Sequence, residues 1–204
     1  MTASEFLQRE FSINHKGHLE IGGCDTVELA KDFGTPLYVV DENKIRENCR
    51  DYREALNKVY PDSEVIYAGK AFLTKAICCL IYQGGLGLDV VSGGELYTAL
   101  HAGFPSERIY FHGNNKSREE LRFALNNGVG QIIVDGLMEL ETLIQLATET
   151  RTRPRVILRL NPGIEAHTHT YDQTGQEDSK FGMGIHDSET MAAVKSALAS
   201  PQIK

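Results

Sequence analysis

Lys70 ends the run V-I-Y-A-G-K-A-F (65–72), in which five residues of strand type, Val65 to Gly69, lead straight into a primary amine. β-Branched and aromatic side chains suit a strand packed on both faces. A lysine at its carboxyl end either meets water or serves a site, and one lysine alone does not choose between them. Further along, the apolar runs also close on polar or ionisable groups: the Asp89 to Ser92 turn, His112 with Gly113 and Asn114, Asp135, then Arg159 and Asn161. Any one of these could cap a helix or meet solvent. Five strand ends in succession, the amine's included, point to one rim where an amine, carboxylates, an imidazole and a guanidinium can hold and react with a small polar molecule.

The elements that must position these groups follow from patterning. Short apolar runs L-Y-V-V (37–40), V-I-Y-A (65–68), L-D-V-V (88–91), R-I-Y-F (108–111), Q-I-I-V (131–134) and R-V-I-L-R-L (155–160) read as strands, each followed by a helical stretch. Helical spacing marks Ile45, Cys49, Tyr52, Leu56 and Val59 in the first helix, and Leu137, Leu140, Ile144 and Ala147 in a later one. Ser92 before Glu95 and Ser117 before Glu120 are capping-box pairs. Six βα units leave two architectures, an open doubly wound sheet or a barrel. Q-G-G-L-G-L-D-V precedes a strand instead of following one, so its glycines read as a helix stop and turn and not as a dinucleotide fingerprint. The expected class is α/β, of barrel type.

Composition limits the partner. The 204 residues are 41% hydrophobic and 24% charged, which excludes disordered and collagen-like chains. A net charge of −7, from 21 basic and 28 acidic residues, argues against a nucleic-acid surface. No apolar run approaches the roughly 20 residues of a membrane helix, and M-T-A-S-E-F-L-Q-R-E lacks the plan of a secretory signal, so no membrane partner and a cytoplasmic location are expected. Cys24, Cys49, Cys78 and Cys79 show no C-x-x-C spacing and are expected as buried, reduced thiols.

The segments Y-A-G-K-A-F, L-D-V-V-S-G-G-E-L, F-H-G-N-N-K-S, L-R-L-N-P-G and H-T-H-T-Y-D-Q-T-G-Q-E-D-S-K-F-G-M carry a family likeness. In order, from about residue 11 to the last, the chain resembles the diaminopimelate decarboxylases, of the group IV, alanine racemase-like barrel enzymes that use pyridoxal phosphate (PLP). Y-A-x-K alone is shared with ornithine and arginine decarboxylases and with non-catalytic PLP carriers. The run T-H-x-Y-x-x-T-G followed by S-K-F-G, at 168–182, singles out the diaminopimelate branch. Phe72 departs from it, standing where many relatives carry Asn.

The resemblance implies that Lys70 holds PLP as an imine. An amine attacks an aldehyde only when neutral, which calls for partial desolvation or nearby cations. It also implies that Asp89 lies near this linkage, that Glu95 lies on the helix behind it, and that Arg159 lies beneath the ring; Glu95 has an equal claim as a helix cap. His112 is expected, on the same resemblance, at the active-site mouth. His169 either shapes the substrate pocket or orders its loop, and with His167 it lacks a third ligand, so no metal is expected. Lys180 resembles a subunit-interface lysine and otherwise reads as an exposed charge.

An eight-stranded barrel takes about 250 residues, more than six units supply. The resemblance implies that the ring-stacking histidine, the glycine-rich phosphate loop, the E-P-G-R acid, a cysteine contributed across the dimer and a C-terminal β-domain lie beyond this chain. The expectation is therefore the N-terminal part of a longer enzyme, inactive alone. Residues 1–36 would be partly associated with that β-domain, and 37–204 would form the partial PLP-binding (β/α)8 barrel. The implied activity is decarboxylation of meso-2,6-diaminopimelate to L-lysine, the last step of lysine biosynthesis, by a homodimer acting on a small amino-acid substrate. The alternatives are a decarboxylase of ornithine or arginine, or a PLP-binding protein without turnover.

Overall fold

The computed structural model describes residues 11–163 and 181–204. The chain forms two compact units, Met1–Ser63 and Glu64–Lys204.

In the first unit, β1 (Ser12–Ile13), β2 (Leu19–Ile21) and β3 (Cys24–Asp25) form an antiparallel meander. Gly22 and Gly23 join β2 to β3, both at positive φ, the backbone a two-residue hairpin turn demands. Two helices follow, α1 (Thr26–Phe33) and α2 (Glu42–Asn57), capped by the carboxylates of Asp25 and Asp41. On α2, Cys49 is buried as the spacing required, while Tyr52 is 69% exposed and Val59 falls past the helix end. Residues 37–40 do not form the expected strand. They pair with no strand among the described residues, and Tyr38 is 99% exposed. Strand propensity without a neighbouring ladder does not make a strand.

Asp25 ties this unit together. Its carboxylate accepts the amides of Val27 and Glu28 at 2.9 and 3.3 Å and the Asn14 side-chain amide at 2.9 Å, and it lies 2.9 Å from His18 Nδ1. Desolvation works to raise its pKa, but the bonds from His18, Asn14, Val27 and Glu28 outweigh it and hold the group far below the usual carboxylate range. Because the folded pKa is depressed, the stabilisation is complete above the unfolded value of about 3.9 and is lost progressively as pH falls from there through the folded pKa. Relative to an unfolded chain at the same pH, hydrogen exchange at Val27 and Glu28 is therefore expected to stay slow down to about pH 4 and to quicken progressively as pH falls from there toward the folded pKa. In Asp25→Ala the fast exchange should already be present near neutrality; equal protection in both proteins would refute the assignment.

The second unit is an α/β layer. β4 (Ile66–Ala68), β5 (Gly87–Val90), β6 (Ile109–Phe111), β7 (Gln131–Val134) and β8 (Val156–Leu158) lie side by side in chain order, all parallel. Between them run α3 (Lys75–Gln83), α4 (Gly93–His101), α5 (Arg118–Asn126) and α6 (Leu137–Thr150). A doubly wound sheet reverses strand order at a switch point; this one never does, as part of a barrel requires. Five units thus stand in one sheet where six were expected. Beyond β8, β9 (Leu160–Asn161) pairs with β10 (Met183–Gly184), followed by α7 (Ser188–Ala199).

Burial alternates along β6, β8 and Leu88–Val90, while Ile132, Ile133 and Val134 of β7 are all buried. Leu88, Val90, Ile109, Phe111 and Val134 are fully buried with Leu96, Leu121, Leu140, Leu143 and Leu146 of the helices, while Asp89, Tyr110 and Ile157 turn to the opposite, open face. On α6, Leu143 and Leu146 join the expected Leu140 and Ala147 in the core, and Ile144 is only half-buried. At the amino ends of the strands, Glu64 accepts from Arg108 Nη2 at 3.0 Å and from Tyr110 Oη at 2.8 Å, and Arg108 also donates to the Gly85 carbonyl. This end is a fastener, and burial together with the Glu64 carboxylate raises the Tyr110 pKa. All four cysteines are free; Cys49 and Cys78 are buried as expected, whereas Cys24 and Cys79 are exposed. Burial, with Cys79 beside it, pushes the Cys78 thiol up to about 11, an unreactive thiol.

Candidate active site

The carboxyl ends of the five strands hold the ionisable groups. β4 ends in a single tight turn, Gly69–Ala71, which carries Lys70. The register sets Ala68 opposite Asp89, and a Cβ built on Gly69 would lie 2.7 Å from the Asp89 carbonyl oxygen. Only glycine lets the turn lie this close to β5. The Lys70 side chain is exposed and has no hydrogen-bond or ion-pair partner among the described residues.

Asp89 projects from the open face of β5 and its Oδ1 lies 2.5 Å from Nδ1 of His112, which directly follows β6. The next turn, at Gly113, takes φ 113°, and a Cβ there would lie 2.9 Å from the Val91 carbonyl oxygen. At the ends of β7 and β8, Asp135 accepts from Arg159 Nη1 at 3.1 Å and from the Gly182 amide at 2.9 Å. The Arg159 guanidinium sits 4.5 Å from the centre of the Phe181 ring, a cation–π contact.

A belt of glutamates closes the helix starts behind this rim. Glu95 accepts from the Val91 amide at 2.7 Å, and its own amide donates to Ser92 Oγ. The expected Ser92–Glu95 box is thus half made, with the carboxylate reaching one residue further back. The Ser117–Glu120 box is complete, and Glu120 also accepts from the Gly93 amide of the preceding unit at 2.6 Å. Burial opposes ionisation of Glu120, but the amide bonds from Ser117 and Gly93 prevail and lower its pKa. Glu139 accepts from the Asp135 amide, and Glu189 of α7 supplies the cap that Gly136 cannot, accepting from Leu137 N.

Of the residues expected at the site, the fold gathers Lys70, Asp89, His112 and Arg159 at the strand ends and gives Glu95 its capping role. His169 and Lys180 lie outside the described residues. Sequence patterning missed Lys116 and Glu139, an ion pair at 2.8 Å with a lysine side chain only 1% exposed. Their signal is faint: a lysine after N-N in the β6 loop and a glutamate in the first turn of the next helix. Among the described residues, no three His, Cys, Asp or Glu side chains group as metal ligands, and no helix is long and apolar enough to cross a membrane.

Residues 42–204 match the family model described as pyridoxal-dependent decarboxylase, pyridoxal binding domain. The chain belongs to the pyridoxal-dependent decarboxylases. Among curated members, diaminopimelate decarboxylase of Bacillus subtilis is 51% identical over 199 residues, a match covering 98% of this chain and 45% of that protein. The crystal structure of diaminopimelate decarboxylase from m. jannaschi superposes with a TM-score of 0.84 at 34% identity, covering 96% of this chain and 46% of the other. A second structure from the same source, in complex with L-lysine, gives 0.83. The chain thus spans about half the length of the decarboxylases it matches.

The gathered residues suit the cofactor that names this family. Lys70 offers a primary amine with no competing partner, and Gly69 removes the side chain that would hold its turn off β5. The Asp89–His112 pair and Arg159 add acid-base and cationic groups from neighbouring strand ends of the same sheet.

Proposed function

We propose that the protein containing this chain decarboxylates meso-2,6-diaminopimelate to L-lysine with pyridoxal phosphate, and that Lys70 is the attachment residue. The observation that carries this reading is the unpartnered Lys70 amine at the end of β4, in a chain half identical to diaminopimelate decarboxylases. The cofactor, when bound, supplies an electron sink for the pair released as the α-carboxylate departs.

The chain's own residues supply the rest. Lys70 would hold the cofactor, and its amine is the group of this chain placed to carry a proton to the α-carbon. Asp89 fixes the His112 ring by accepting from Nδ1, which leaves Nε2 as the nitrogen able to face cofactor or substrate. Arg159, held by Asp135 and Phe181, keeps a permanent positive charge on the rim. Glu95, Glu120, Glu139 and Glu189 already occupy amides of the loops and helix starts at this rim, which favours a phosphate site elsewhere, on residues other than those described. The parallel sheet corresponds on this reading to part of an eight-stranded barrel, with residues 37–204 its contribution and residues 1–36 partly associated with a β-domain. The working unit is a cytoplasmic homodimer, with His169 and Lys180 at its active-site mouth.

The test is turnover of diaminopimelate, ornithine and arginine by the full-length protein. Carbon dioxide release from diaminopimelate is expected to exceed that from either competitor by at least about 100-fold in kcat/KM, because a site built to bind the distal carboxylate of diaminopimelate is left with unpaired polar atoms by ornithine and arginine, which lack it. Faster turnover of ornithine or arginine would overturn the substrate, and no turnover of any would overturn the activity. The isolated 204-residue chain is expected to release none.

A further inference from the structure

Lys116 belongs to no cofactor or substrate contact proposed above, yet among the described residues it is the most thoroughly enclosed cation at the rim. Its side chain is 1% exposed, and Nζ donates to the Gly113 carbonyl at 2.5 Å and to the Ile133 carbonyl at 2.8 Å while pairing with Glu139 at 2.8 Å. The Phe111 ring lies 5.7 Å from the ammonium. Gly113 directly follows His112, and Ile133 lies two residues before Asp135, so one ammonium ties together the loop end of β6 and the end of β7. Glu139 extends the link, because its second oxygen accepts from the Asp135 amide. Burial raises the Glu139 pKa against the opposing pull of Lys116, as befits a pair enclosed in the fold.

The connections run in one line across the sheet: Asp89 to His112, the adjoining Gly113 to Lys116, Lys116 to Glu139, Glu139 to Asp135, and Asp135 to Arg159. The loop end it fixes is one that would otherwise swing. Gly113 holds a φ that only glycine takes freely, and the Lys116 bond to its carbonyl sets the direction of that peptide. We infer that Lys116 is a positioning residue: it sets the orientation of His112 against Asp89, and through Glu139 and Asp135 that of Arg159, without touching cofactor or substrate. This rests on the decarboxylase reading above only for its consequence in turnover.

Removing Lys116 alone would strand the Glu139 charge and could unfold the protein, so the test uses Lys116→Met together with the charge-free pair Lys116→Met/Glu139→Gln in the full-length protein. The Nδ1 proton of His112 is read by NMR without cofactor, and kcat is read with cofactor and diaminopimelate. In the folded double variant the proton resonance of the Asp89-bonded imidazole is expected to vanish or move to a solvent-exchanging position, and kcat to fall about 100-fold, the loss that a misplacement of about 1 Å produces. If Lys116 serves only to balance Glu139, the double variant will keep the parental resonance and a kcat within about twofold of the parent; either parental value overturns the inference. If the parent itself fails to turn over diaminopimelate, the decarboxylase reading falls, and the resonance alone still judges Lys116.

Discussion

Lys70→Ala in the full-length protein is expected to lower kcat for diaminopimelate by at least about 10³-fold, because no other amine can take over at that position. Lys70 is the only ionisable group on the turn that ends β4, and Gly69 brings that turn against the Asp89 carbonyl. The next lysine along the chain, Lys75, opens α3 with an exposed side chain. Lys75→Ala is the matched control, expected within about twofold of the parent. Equal losses in the two variants would mean that the β4 turn plays no special part. A Lys70→Ala enzyme with parental kcat would remove the amine from the chemistry.

Gly130→Ala is expected to be the most damaging small substitution in the second unit. A Cβ there would lie 2.0 Å from the Glu107 carbonyl oxygen and 2.6 Å from its carbon, and the Gly130 amide is held in place by donating to Ser106 at 2.8 Å. The obstacle is the Glu107 backbone, so no side chain can rotate away. Overpacking of a flexible core costs about 1–3 kcal/mol; with rigid backbone the loss should reach about 3 kcal/mol or more. Gly94→Ala, in α4 with nothing nearer than 3.9 Å, is the counterpart and should be neutral or stabilising by up to about 1 kcal/mol. Urea midpoints for the two variants decide it. Similar midpoints would show that the approach of the chain at Glu107 and Gly130 is not as close as described.

What could be read from the chain follows the reach of the forces involved. The strands at 65–68, 88–91, 108–111 and 131–134 were legible to within a residue or so, because apolar runs between capped helices are local signals. The run at 37–40 has the same composition and forms no strand among the described residues, since a strand exists only through its neighbours. Lys70, Asp89, His112 and Arg159 could be placed on one rim because parallel βα order sends every strand end the same way. The partners of these groups could not. The Asp89–His112 bond spans 23 residues, the Arg159–Asp135 bond 24, and Lys116–Glu139 joins a loop to the first turn of α6, two segments whose individual sequences look solvated. Glu95 shows the limit from the other side: its spacing from Ser92 announced a cap, and the carboxylate chose the Val91 amide instead.

The amine at position 70 is tested most directly by reducing the full-length protein, loaded with pyridoxal phosphate, with borohydride and mapping the modified peptide by mass spectrometry. The cofactor is expected on Lys70 alone, in the peptide containing Y-A-G-K. Recovery of the label on Lys75, Lys116 or any other side chain, or no label on a protein that decarboxylates diaminopimelate, would contradict the account.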